Sequence, residues 1–133
     1  IKKAITAFMI VVVIMSLCSC QNKQVHNTKK AKRVDLSKMN ENVEYSEVAR
    51  IVANIDKYRG DVLKVHGTYY MIGKVKVIRF YDANRCCSID VDFESNDSFS
   101  DGENITIEGK LDSYYAEDND LDKLPIIKKA RRL

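Results

Sequence analysis

The chain has 133 residues, 31% of them charged, and a formal net charge of +3. This length is enough for one small domain and excludes a two-domain enzyme. The charge is unevenly distributed, because residues 39–124 carry a net charge of −8. A groove that follows a nucleic-acid backbone needs clustered cations. We therefore expect no nucleic-acid partner.

The N-terminus has the layout of an export signal. Two lysines precede an uncharged apolar run over residues 4–17, which is shorter than the roughly 20 residues that a membrane-spanning helix needs. The run ends at Leu17-Cys18-Ser19-Cys20, which resembles the lipobox of bacterial lipoproteins. That resemblance implies cleavage before Cys20 and a covalent diacylglycerol and acyl lipid, such as palmitate, on Cys20. An uncleaved anchor or an ordinary signal peptide is the alternative.

We divide the chain into three parts: residues 1–19 as a helical lipoprotein signal peptide, 20–42 as a lipidated and disordered tether, and 43–133 as the folded domain. The tether has no apolar periodicity, and residues 21–38 hold six Lys or Arg against one Asp. Such a segment is attracted to anionic head groups, so the membrane is the expected partner through the lipid anchor. The predicted location is the cell membrane or outer membrane, with the domain facing the periplasm or the exterior.

One helix is predicted at the start of the domain. Ser46 is placed to cap its first turn and Gly60 to end it. Four apolar residues recur at the spacing of one helix face: Val48, Ile51, Val52 and Ile55.

After Gly60 the apolar residues alternate with polar ones, which is the pattern of half-buried strands. We predict five strands, over residues 63–69, 74–81, 87–93, 105–111 and 126–130, the last following Pro125. Five short strands with one apolar face each favour a closed small barrel, so the predicted class is mainly β with one preceding helix.

Two strands share the pattern G-[DE]-x-[LI]-x-[VI]-x-G, at residues 60–67 and 102–109. Its first glycine allows a turn with positive φ, and its second allows a bend or bulge where the strand curls. This pattern resembles the first and fourth strands of an oligonucleotide/oligosaccharide-binding (OB) fold. With the helix that ends directly before it, the region 45–133 looks like the tRNA-anti-like OB domains of small bacterial lipoproteins. The resemblance implies a five-stranded OB-like barrel.

A second resemblance is to the C-terminal domain of an uncharacterised bacterial membrane family associated with predicted permeases. That domain carries an Arg-Phe pair, a Cys-Cys-x-x-Asp element, a valine-rich strand ending in Gly, and a short Pro-Ile/Val strand. The counterparts here are Arg79-Phe80, Cys86-Cys87-Ser88-Ile89-Asp90, residues 105–109 and Pro125-Ile126-Ile127.

OB barrels bind partners on the outer face of their second and third strands. Alternation places Tyr70 and Tyr81 near that face, and we add Arg79, Cys86 and Asp90 as candidate ligand-binding residues. Side chains of this kind bind a protein, peptide or glycan, or merely cover the barrel. The first functional hypothesis is therefore a membrane-anchored binding module, with another envelope protein as one candidate partner. An oligonucleotide-binding OB domain is a further alternative.

A metal-binding or thiol-redox accessory is the second hypothesis. Zinc binds sulfur, nitrogen and oxygen ligands, and the candidates are Cys86, His66 and Asp90, with Cys87 as a second thiol. Strand alternation predicts that Cys87 is buried and that Cys86 points outward, so a buried Cys87 beside an incidental Cys86 is the competing interpretation.

No nucleophile, phosphate-binding or paired-histidine motif is present, so we expect no enzymatic activity and no resident cofactor. Asp118, Asp120 and Asp122 are spaced like calcium ligands, but Lys123 and Lys129 replace the glycine and glutamate that such a loop needs. We interpret residues 117–122 as a solvated hairpin loop.

Overall fold

The computed structural model describes residues 28–133, so the predicted signal peptide, Cys20 and the first part of the tether lie outside the described residues. The described chain is mainly β, and a helix precedes the barrel, as predicted. In chain order the elements are β1 (Arg33–Asp35), α1 (Glu41–Ala53), α2 (Ile55–Tyr58), β2 (Val62–Ile72), β3 (Val75–Tyr81), β4 (Ser88–Phe93), β5 (Asn104–Ala116) and β6 (Asn119–Arg132). Within this part of the chain, no helix is long and apolar enough to cross a membrane.

Five strands close into a barrel, which confirms the predicted architecture. The strands are ordered β2-β3-β4-β6-β5, and β5 returns to pair with β2. Every pairing in the barrel is antiparallel except that of β4 with β6. The parallel contact arises because β5 lies between β4 and β6 in the chain but on the far side of β6 in space.

Inward-facing apolar side chains fill the barrel at the period of two that the sequence shows. Val65, Ile78, Ile107 and Ile127 have no exposed surface. The predicted helix face joins the same core through Val48, Ile51 and Ile55. Because α1 packs on β3 and β4 and α2 packs on β5, the helices cover one end of the barrel.

The first glycine of each repeated pattern has the predicted positive φ, and the predicted bulge is present at Gly109, whereas the β2–β5 register continues regularly through Gly67. Gly60 and Gly102 adopt φ of +87° and +81°, a region that other residues avoid. At Gly67 a Cβ atom would lie 2.8 Å from the carbonyl oxygen of Arg79. At Gly109 it would lie 2.6 Å from Ile127 Cγ2, beside a register shift in the β5–β6 pairing. The second glycine of each pattern therefore allows a neighbouring strand to approach closely.

The helix differs from the prediction at its start and in its middle, whereas it ends just before Gly60 as predicted. It begins at Glu41 with Asn40 as its cap, whose side chain accepts a hydrogen bond from Val43 N–H at 3.0 Å. Ser46 lies inside the helix and donates to the carbonyl of Asn42 at 2.9 Å, so the predicted Ser46 cap is wrong. The helix also stops at Asn54 before resuming as α2. Asparagine is as good a cap as serine, and only the wider contacts of α1 select between them.

The last hairpin is longer than predicted. β5 and β6 are joined by a turn at residues 117–118, so the predicted loop over residues 117–122 is confirmed only at its first two residues, and the other four belong to β6. Pro125 lies inside β6, not before it, where β6 pairs with β5 but not yet with β4. A proline is tolerated at such a position because no second strand needs its missing N–H.

The ordered domain begins before the predicted boundary at residue 43. β1 pairs in parallel with the start of β2, and Leu36 is only 2% exposed. Residues 28–36, called the N-terminal segment below, therefore lie along the barrel although we assigned them to the tether. Val34 and Leu36 are too few to show an apolar period in the sequence. Leu36 is buried and Val34 partly buried only because the segment pairs with the edge of β2.

Glu44 completes the hydrogen bonding along that edge of β2. β1 pairs with residues 62–64 and β3 with residues 68–72, which leaves the N–H of His66 between them. Glu44 Oε1 accepts this hydrogen bond at 2.7 Å from α1. The carboxyl is 4% exposed, and burial raises its pKa to about 7.

Candidate functional site

Four predicted ligand-binding residues form one cluster on the outer surface of β2, β3 and β4. We call this cluster, formed by Tyr70, Arg79, Tyr81 and Asp90, the open face. Arg79 lies directly opposite Asp90 in the β3–β4 register. Its Nε and Nη2 donate to the two carboxylate oxygens of Asp90 at 2.7 and 2.8 Å. This paired geometry fixes the guanidinium plane.

The two tyrosines are held against the same arginine. The guanidinium carbon of Arg79 lies 4.8 Å from the ring centroid of Tyr70. The hydroxyls of Tyr70 and Tyr81 are 3.2 Å apart. The hydrogen bond to Tyr70 and the charge of Arg79 lower the pKa of Tyr81, whereas the same hydrogen bond raises the pKa of Tyr70. Either hydroxyl can act as the donor in this hydrogen bond.

A depression of about 610 Å³ lies farther along β3 and β4, and none of the four open-face residues lines it. Asp90 and Asp92 are two residues apart on β4, so strand alternation puts both on the outer side of the sheet. The depression, which Asp92 lines, is therefore on that outer surface. Its lining includes Lys74, Val75, Asp92, Tyr114, Ile126 and Lys128. Sequence reasoning missed this feature because the parallel β4–β6 pairing alone brings Ile126 beside Asp92.

The depression has a fixed polar wall. The hydroxyl of Tyr114 donates to Asp92, and this hydrogen bond raises the pKa of Tyr114 to about 12. Lys76 Nζ donates to the carbonyl oxygens of Ser95 and Asp97 at 2.7 and 2.8 Å. These contacts hold the loop after β4 against β3, so the rim of the depression is preorganised.

Cys86 and Cys87 lie in the loop between β3 and β4, and both are exposed. The prediction that Cys87 is buried is wrong, because β4 begins at Ser88 and strand alternation does not extend back to residue 87. Cys86 is the one candidate ligand-binding residue outside the contacts of the open face. The loop nevertheless begins directly after Tyr81.

The predicted metal ligands Cys86, His66 and Asp90 do not come together. His66 Nδ1 lies 3.1 Å from Thr106 Oγ1, on the β5 side of β2, and Asp90 is engaged by Arg79. Among residues 28–133, the one group of three or more metal-ligating side chains is formed by Asp82, Cys86 and Cys87. Sequence reasoning missed Asp82, although its position four residues before Cys86 across a tight loop was a usable signal.

Comparisons of the chain with protein-family models, with curated proteins and with solved structures found no match. The side chains of the open face and of the β3–β4 loop are therefore the basis of the functional assignment. The loop connects two of the three strands that carry the open face.

Proposed function

We propose that this protein is a membrane-anchored extracytoplasmic binding module that holds a protein, peptide or glycan on its open face. One observation carries the proposal: Tyr70, Arg79, Tyr81 and Asp90 interlock on the outer surface, and a separate depression of about 610 Å³ lies farther along the same strands, where Asp92 lines it. That volume is in the range of small-ligand sites, which is about 300–1,000 Å³. No catalytic step is part of the proposal.

The chemistry of the open face suits a ligand with both apolar and hydrogen-bonding surfaces. Tyrosine rings bury large area at low cost in conformational entropy, and their hydroxyls form hydrogen bonds at the edge. The contacts with Arg79 already hold both rings, so a ligand loses less affinity to side-chain ordering. Extended peptides and sugars both offer such surfaces.

Charge argues against an oligonucleotide ligand. The cation of the open face, Arg79, is neutralised by Asp90, and Asp92 follows on the same side of β4. Within the open face itself, a phosphate backbone would therefore meet the carboxylate of Asp90 and only one cation, which that carboxylate already pairs. A salt-sensitive affinity for single strands would contradict this assignment.

The N-terminal segment limits how far the barrel can lie from a lipid on Cys20. Lys29 Nζ donates to Asp61 Oδ2 at 3.2 Å and also contacts the carbonyl of Lys57. Nine residue steps separate Cys20 from Lys29, so the chain between them spans at most roughly 30 Å. The proposed anchor would hold the binding surface close to the membrane.

Anchoring is tested by following lipid incorporation in cells. We expect Cys20→Ser to abolish labelling with a radioactive fatty acid and to release the protein from the membrane fraction. Cys18→Ser is the matched control and should retain both properties. Unchanged labelling of the Cys20→Ser variant would refute the lipid anchor.

Ligand binding is tested by titrating the isotope-labelled full chain with soluble glycan fragments and, separately, with extended peptides. We expect amide signals of β2, β3 and β4 to shift, and Tyr70→Ala to abolish the shifts. Tyr115→Ala removes another exposed tyrosine, on β5, and serves as the matched control. Binding that is insensitive to Tyr70→Ala, or no binding to either probe class, would count against the proposal.

A further inference from the structure

The β3–β4 loop brings two thiols and one carboxylate to a common point. Cys86 Sγ lies 3.7 Å from Cys87 Sγ and 3.0 Å from Asp82 Oδ2. The ligand atoms of all three residues lie within 4.8 Å of one another. The sulfur separation is far longer than the roughly 2.05 Å of a disulfide, so both thiols are reduced.

The backbone of the loop orients this group. Asp82 N–H donates to the carbonyl of Cys87 at 3.2 Å, and Cys87 N–H donates to Asp82 Oδ1 at 3.2 Å. Arg85, which has a φ of +54°, reverses the chain between Asp82 and Cys87. Its N–H donates to the Asp82 carbonyl at 3.0 Å. One carboxylate oxygen of Asp82 is thus used by the backbone, and the other is left for the thiol side.

We propose that Asp82, Cys86 and Cys87 bind a thiophilic divalent cation of the zinc class. Two sulfurs bound to zinc at about 2.3 Å in a tetrahedron lie about 3.8 Å apart. The observed 3.7 Å meets this requirement without rearrangement. A sulfur and a carboxylate oxygen on the same ion lie about 3.5 Å apart, so the observed 3.0 Å has to open slightly as the ion replaces the thiol proton.

The Asp82 carboxylate supplies negative charge at the group, and the two cysteines would bind a zinc-class cation as thiolates, so binding would release their protons. The other charged or titratable groups at the loop are Arg85, which pairs with Glu41 at 3.5 Å, and Tyr45 of α1. The Arg85–Glu41 pair contributes no net charge.

Three protein ligands leave a fourth position for water or for a donor atom of a bound molecule. The site is exposed, and the guanidinium of Arg85 lies 4.9 Å from the ring centroid of Tyr81. The cation would therefore sit at the edge of the open face. This proposal does not depend on the open face binding any ligand.

The test is a cadmium titration of the reduced full chain, in a Cys18→Ser, Cys20→Ser background that leaves Cys86 and Cys87 as its thiols. We expect ultraviolet sulfur-to-cadmium charge-transfer absorption that saturates at one ion per chain, with zinc competing. Cys86→Ser, Cys87→Ser and Asp82→Asn should each weaken binding by at least about tenfold. Asn84→Ala, an exposed change in the same loop, should not.

Circular dichroism keeps the test independent of folding, because the loop is exposed and all variants should retain the barrel spectrum. Absence of the charge-transfer band would overturn the proposal. The three-ligand site would also be refuted by binding that is unchanged in Asp82→Asn. A stoichiometry of one ion for two chains would refute it too. None of these results would alter the test of the open face.

Discussion

The two sides of the barrel use ion pairs in opposite ways. On the side of the N-terminal segment, Glu108 is 6% exposed and accepts a hydrogen bond from Arg131 at 2.9 Å while also pairing with Arg33. On the open face, the Arg79–Asp90 pair remains about one-third exposed. No segment within residues 28–133 lies over that pair. A buried carboxylate can stay charged only while its cationic partners remain in place. A partly exposed ion pair is weaker and can also contact another molecule.

Asp61 shows the same closure on the covered side. It is 3% exposed, and its carboxylate accepts hydrogen bonds from Lys32 N–H and Lys29 Nζ, both in the N-terminal segment. Residues that composition alone marks as a solvated tether thus supply the partners of a buried charge. The comparison indicates that the covered side contributes stability, whereas the open face is the surface for which we propose ligand binding.

The largest expected effect on stability comes from detaching the covered side. Leu36→Ala removes a side chain that is 2% exposed and should lower the free energy of unfolding by about 3 kcal/mol. Met39→Ala, at a position that is 40% exposed, is the matched control and should change it by less than about 1 kcal/mol. Urea unfolding measures both. Equal effects would show that the N-terminal segment does not belong to the cooperative domain.

A smaller effect, dependent on pH, is expected at Glu44. Because its pKa is raised to about 7 in the folded state, the folded chain holds this proton more tightly than the unfolded chain. Stability should therefore fall as pH rises from about 4.5 to about 7, by at most about 3 kcal/mol. Glu44→Gln keeps an oxygen for His66 N–H without the charge, so it should be more stable than the parent above pH 7.

The control for this prediction is Glu41→Gln, an exposed carboxyl in the same first turn of α1. It should change the pH dependence of unfolding much less than Glu44→Gln does, because the charge of Glu41 contributes to the raised pKa of Glu44 less than burial does. Urea unfolding at pH 5 and pH 8 makes the comparison. If Glu44→Gln and the parent lose the same stability between these two conditions, the buried carboxyl is not the cause.

The smallest effect is expected on the open face. A double-mutant cycle of Arg79→Ala and Asp90→Ala should give a coupling energy below about 1 kcal/mol, because solvent screens the pair. The same cycle at Arg131 and Glu108 should give a larger value, because Glu108 is buried. Thermal unfolding of the single and double variants supplies both values. A larger coupling energy for Arg79–Asp90 than for Arg131–Glu108 would contradict the assignment of the stronger ion pairs to the covered side.

Much of the open face could be predicted from the chain, because strand alternation by itself sends Tyr70, Arg79, Tyr81 and Asp90 outward. The group proposed to bind a metal ion was missed, because strand alternation was extended one residue too far and assigned Cys87 to the core. The strand begins at Ser88, and the loop before it follows hydrogen bonds that Asp82 makes across the turn. Loop conformation depends on such specific contacts and shows no hydrophobic periodicity from which it could be predicted.

Periodicity alone determined the barrel interior and the helix face, because the geometry of an extended or helical backbone decides which side chains share a side. The paired glycines likewise marked turns and close approaches, since no other residue fits them. Which strands become neighbours was decided only in three dimensions. The docking of Leu36 on the free edge of β2, the burial of Glu44 and the meeting of Asp92 with Ile126 all depend on contacts between distant segments. No local sequence pattern predicts these contacts, because the segments meet and stabilise one another only once the barrel has closed.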